Sequence, residues 1–172
     1  AELYKLLSNA SDAGSGNVTI ELTESYDMTG YDWTPVYVDG YHGADVVTVE
    51  GNGNYIKGLN APLYSGGFAG GSGIVINDLT IMNSDIVSTN KTGSAAFIEY
   101  IDSMQTIVLD NCHLLNSKVT GGDDSRTGGL VGYTAGYNNV NDGPVKTYVD
   151  IRNCSVIDCE ITCNGSVGAI YG

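Results

Sequence analysis

Ile76-Asn77-Asp78-Leu79-Thr80-Ile81-Met82-Asn83-Ser84-Asp85-Ile86 returns twice without a gap, as Leu109 through Val119 and as Ile151 through Ile161. Ile76, Leu79, Ile81 and Ile86 correspond to Leu109, Cys112, Leu114 and Val119, then to Ile151, Cys154, Val156 and Ile161. Asn83 is matched by Asn116 and then by Asp158. The copies start 33 and then 42 residues apart, so cores of constant shape are joined by loops of variable length. Solenoids are built this way, each repeat stacking on the next while insertions leave to one side. At the ~4.8 Å spacing of paired strands, equal offsets lie one above another and must share their apolar character. The alignment puts Leu109 over Ile76 and Ile151 over Leu109, all pointing inward, with Asp110 and Arg152 on the outer face. Asn83 and Asn116 fit a side-chain amide ladder at a turn.

Outward from this repeat, a small-residue element follows each core. Gly128-Gly129-Leu130-Val131-Gly132-Tyr133 is the fullest copy. Gly66-Gly67-Phe68-Ala69-Gly70 and Ala95-Ala96-Phe97-Ile98-Glu99-Tyr100 precede it, and Val167 through Gly172 ends the chain. Small residues before an apolar pair suit a corner where backbones approach closely. A dinucleotide-binding glycine loop is excluded, because no helix follows these elements and no βαβ unit is visible. At the other end, Leu3, Leu6, Leu7 and Ala10 fall at helical spacing, and Gly14 and Gly16 stop the pattern. From Val18 onward the period changes to two. The expected fold is all-β: about five rungs over residues 18–172, covered by an N-terminal cap helix over residues 1–17.

The Gly-Gly-Leu-Val-Gly run at 128–132 resembles the GLUG motif of bacterial surface proteins, of IgA-peptidase and adhesin type. Tyr26 through Val36 resembles the segment that opens the β-helices of such proteins, and so does Val49-Glu50-Gly51-Asn52-Gly53-Asn54-Tyr55-Ile56-Lys57-Gly58-Leu59, which is similar to their D-G-N-G-x-x-I-x-G-L rung. The resemblance covers most of the chain from Val18 onward. It implies a right-handed parallel β-helix on an extracellular, cell-wall-attached or secreted protein. It implies no catalytic residues, since the motif is structural.

The formal charge of −13, from 20 acidic and 7 basic residues, repels nucleic-acid phosphates and anionic lipid heads. No apolar run approaches the ~20 residues that cross a bilayer, so membrane insertion is not expected. The four cysteines match no zinc spacing, and no metal or cofactor is expected. Cys112 and Cys154 fall at equivalent inward positions, and in-register side chains make poor disulfide geometry. Free stacked thiols are the expectation. Parallel β-helices also carry polysaccharide lyases and glycosidases, so a carbohydrate-active enzyme is the alternative reading. A lyase of that type needs clustered carboxylates for Ca²⁺ and a nearby Arg or Lys. Asp123-Asp124 sits in a segment that reads as a mobile turn. Asp110 and Arg152 read as a salt-linked outward ladder, and His113 as an exposed residue between two inward ones. No catalytic constellation emerges.

Tyr26, Tyr31, Trp33, Tyr37 and Tyr41 lie close together, and such rings can stack on sugars. Trp33 can instead plug the first rung beneath the cap helix. The favoured function is a non-catalytic structural or adhesive module offering its faces and loops to a host glycan or a surface protein. Because the chain stops inside a copy of the glycine element, it reads as part of a longer array. Its last rung is expected to associate end to end with a second copy.

Overall fold

A computed structural model describes residues 2–8, 16–37, 46–66, 73–102, 106–135, 138–139, 143–144 and 147–172. They form one short helix, Glu2–Ser8, and otherwise mostly strands. Asn17–Glu21, Val46–Glu50, Gly73–Asn77, Thr106–Asp110 and Tyr148–Arg152 pair in that order as a five-stranded parallel sheet. A second five-stranded sheet contains Tyr26–Asp27, Tyr55–Lys57, Thr80–Met82, His113–Leu115 and Ser155–Ile157. Asp85–Val87, Lys118–Thr120 and Glu160–Thr162 make a third sheet, in step with these. The chain therefore passes through the two five-stranded sheets in the same order five times, in layers beginning at residues 17, 46, 73, 106 and 148, and the third sheet draws its strands from the last three layers.

The repeat alignment is the register of the fold. Leu109 pairs with Ile76 and Ile151, Leu114 with Ile81 and Val156, and Val119 with Ile86 and Ile161. Period-two strands turn one face inward, and the core is a column of aliphatic residues.

The corners differ from the amide ladder that the sequence suggests. Asp78, Asn111 and Asn153 adopt φ of 51, 53 and 54°, and Asn83, Asn116 and Asp158 adopt 46, 47 and 53°. Asn and Asp are the side chains that enter this left-handed region most readily, so these residues fold the backbone itself. At the second corner the following residue does the hydrogen bonding. Ser84 and Ser117 donate to the carbonyls of Met82 and Leu115 at 2.9 and 2.7 Å. Each hydroxyl also accepts an amide from the preceding layer: Leu59 N–H to Ser84 and Ser84 N–H to Ser117, both at 3.1 Å. Cys159 takes this place in the last layer, bonding the carbonyls of Ile157 and Leu114 at 3.1 and 3.5 Å. Cys112 and Cys154 repeat the device at the first corner. Buried backbone groups thus find partners despite the sharp turns.

Leu3 and Leu7 of the helix are buried against the first layer, with Leu6 packed beside them. The described helix is Glu2–Ser8 and the first strand Asn17–Glu21; residues 9–15, with Ala10 and Gly14, lie outside the described residues. One glycine element needs correction. Tyr64 pairs with Ile98, and Ile98 with Val131, so the second-layer equivalent of Gly128 through Tyr133 is Ala61 through Gly66. Gly66 stands at the Tyr100 position, not at that of Gly128, and residues 67–70 lie outside the described residues. Among the described residues no helix is long and apolar enough to cross a membrane.

Candidate functional site

Glu50, Asn77, Asp110 and Arg152 form one row across the outer face of the first sheet. Asn77 Nδ2 donates to Glu50 at 3.0 Å, and Asn111 Nδ2 to Asp78 at 2.6 Å. Arg152 Nε reaches Asp110 Oδ2 at 2.9 Å, while Asn153 Nδ2 donates to the other oxygen at 2.9 Å. The Asn153 bond, aided by Arg152, holds the Asp110 carboxyl below its usual range against the opposing effect of desolvation. A groove of about 560 Å³ runs along this row, but its charged groups are tied to one another. An Arg held by two aspartates, Asp110 and Asp150, is poorly placed to abstract a proton from a sugar. Asp123 and Asp124 form a turn in which Asp123 accepts from Asn164 at 2.7 Å. Among the described residues no group of three or more His, Cys, Asp or Glu side chains could hold a metal ion.

His113 is half-buried, not exposed, with its ring nitrogens 2.8 Å from Ser155 Oγ and 3.0 Å from Asn111 Oδ1. The next layer supplies Ser155, so the imidazole is clamped between layers. All four cysteines are free. The Cys112 amide donates to Cys154 Sγ at 3.4 Å, which places the two thiols in neighbouring layers. Burial pushes the Cys112 thiol up to about 12 and raises that of Cys154 too. Burial also acts upward on Cys163, but hydrogen bonding with Thr127, Gly165 and Ser125 outweighs it and leaves that thiol below its usual range.

The aromatic residues divide by environment. Trp33 is buried and donates Nε1–H to the Pro62 carbonyl at 3.0 Å, so it plugs the first layer beneath the helix. Tyr4 of the helix meets it edge to face at 5.8 Å. Tyr31 is 59% exposed and Tyr4 39%. These rings, with Lys5 and Asp32, line a groove of about 520 Å³ between the helix and the first layer. Local chemistry fixes its floor. Gly30, at φ 81°, closes a turn in which the Tyr31 amide donates to Met28 O at 3.0 Å. Asn60 of the second layer then accepts the Trp33 amide at 2.9 Å and donates to Asp32 at 3.1 Å. Nearby, hydrogen bonds from Thr29 and then Lys57 hold the Asp27 carboxyl down to about 2.

Tyr26 is half-buried, Tyr37 lies exposed with its ring over Gly66, and Tyr41 falls outside the described residues. Of the expected aromatic patch, the fold gathers Tyr31 and Trp33. It adds Tyr4, Lys5 and Asn60, which the reading of the sequence did not single out. Tyr4 and Lys5 could have been found there, because they fall off the apolar face set by Leu3, Leu6 and Leu7. The chain matches no protein-family model, no curated protein and no solved structure.

Proposed function

We propose that the stacked parallel sheets form a right-handed β-helix of the GLUG-motif kind, from a secreted or cell-surface bacterial protein. We further propose that it is a non-catalytic module that binds a glycan at the groove between helix and first layer. The observation that carries this reading is the pair of exposed rings, Tyr4 and Tyr31, flanking a groove rimmed by Lys5 and Asp32. Aromatic faces take the C–H faces of sugar rings, while a few polar groups at the rim orient the hydroxyls. Rigid support from Trp33 and Asn60 lowers the ordering cost of binding.

A glycan array followed by NMR titration tests it. Amide shifts are expected at residues 28–34, and Tyr31→Ala and Tyr4→Ala should each weaken binding while leaving the circular dichroism unchanged. Binding that survives both substitutions, or no binding to any glycan, would overturn the proposal. The half-exposed apolar residues of the last layer supply a face for the proposed end-to-end association. Sedimentation at rising concentration would reveal it, and a concentration-independent monomer would remove that partner.

A further inference from the structure

The layers are not all of one length. A strand at Gly93–Ser94 opens a three-stranded sheet with Arg126–Gly128 and Ser166–Gly168, and among the described residues no strand of the first two layers joins it. The third layer is therefore wider than the two before it, and a recess of about 390 Å³ lies where old and new outlines meet. Pro35, Ala61 and Pro62 of the first two layers line it together with Val87 through Asn90 of the third. Glu99 also lines the recess, yet it is only 7% exposed. Ser88, 4% exposed, donates its hydroxyl to Glu99 Oε1 and accepts the Asn90 amide at 3.0 Å, so its orientation is fixed.

Among the described residues no cation and no second donor reaches the Glu99 carboxylate. Lys57, Lys118 and Arg152 pair with other acids, Arg126 lies over the Tyr133 ring, and neither Lys5 nor Lys91 forms an ion pair with Glu99. The side chain is packed against its neighbours while its carboxylate lines the recess, where a charged donor would add a strong hydrogen bond. Its neighbours are apolar rings and methyl groups with two polar side chains, Thr89 and Asn90. That lining suits a ligand with a hydrophobic face and one cationic head.

The recess also adjoins the aromatic groove. Asp32, Trp33 and Thr34 line the groove, and Pro35 is the first residue of the recess. Trp33 donates to Pro62, which lines the recess itself. Resting on the glycan-binding reading above, we infer that the glycan carries free amino groups and that Glu99 receives a protonated amine. The net charge of −13 favours the approach of such a ligand.

Calorimetric titration of the full chain with two probes tests this: a trimer of glucosamine and the same trimer fully N-acetylated. The rings are alike and only the first is cationic. The amine trimer is expected to bind the tighter, and Glu99→Gln, which keeps the shape, should weaken it by roughly 10-fold, as loss of one charged hydrogen bond implies. Equal binding of both trimers, or amine binding that Glu99→Gln leaves untouched, would overturn the inference while the glycan reading stands. Binding of neither trimer, with no hit on a wider array, would overturn both. The comparison of trimers needs no variant, so a poorly folding Glu99→Gln does not spoil it.

Discussion

The third and fifth layers carry nearly the same pattern, Ile76 through Ile86 and Ile151 through Ile161, yet meet different surroundings. Ile76, Leu79, Ile81 and Ile86 are fully buried between neighbouring layers. Ile151, Cys154, Val156 and Ile161 stand at matching positions and remain half-exposed. In stacked architecture, burial is conferred by the adjacent layer and not by the residue's own period. Sequence offset specifies which way a side chain points; the neighbour decides what that is worth.

The sharpest test of this contrast uses identical chemistry at both sites. Ile76→Ala should destabilise the fold by about 2–5 kcal/mol, since it removes buried methyl groups and leaves a cavity. Ile151→Ala should cost about 1 kcal/mol, because much of that side chain already meets water. Urea denaturation would read both, and equal losses would break the comparison. Strain at the corners should behave differently, because it is local. Asn116→Val forces a β-branched residue to φ 47° and should cost about 1–3 kcal/mol, whereas Asn116→Gly should be nearly neutral. Asp158→Val, at φ 53° in the half-exposed last layer, should cost as much as Asn116→Val. A smaller penalty there would mean that the last corner is looser than its geometry indicates.

The thiols give the finest comparison. The thiolate is the reactive species, so Cys163, whose thiol is lowered, should be alkylated first in the native protein. Cys154, whose thiol is raised by burial, should react later than Cys163, and Cys112, buried between layers and pushed up to about 12, should react last of the four. Mass spectrometry of timed iodoacetamide digests would show the order. Early labelling of Cys112 would mean that the layers around it open.

Three of the five layers were legible in the sequence because their cores align without gaps. The first two escaped that alignment for a physical reason. Val49 and Ile56 pair with Ile76 and Ile81, but the Gly51-Asn52-Gly53-Asn54 turn puts two extra residues between them. Ile20 and Tyr26 stand in the same columns with one extra residue. A corner can absorb insertions that a gap-free comparison cannot. One corner signal was present and unread: Asn83-Ser84, Asn111-Cys112, Asn116-Ser117, Asn153-Cys154 and Asp158-Cys159 all join a turn-former to a small hydrogen-bonding residue. The outward Asp110–Arg152 link and the Trp33 plug were legible from alternation and from the apolar helix face. The Glu99 recess was not, because it arises from the change in layer outline and not from any motif. Within its own segment Glu99 looked like part of a degenerate glycine element.

Everything proposed for the groove and the recess depends on the stacking register, which dipolar distance measurement tests most directly. Nitroxides placed at positions 77 and 152 would sit on the outer face two strand steps apart, about 10 Å of backbone, although distant in sequence. Strong broadening of the electron paramagnetic resonance spectrum, corresponding to label separations below ~20 Å, is the expected result. Unbroadened spectra from the folded, doubly labelled protein would contradict the register, and with it the placement of every residue argued from it.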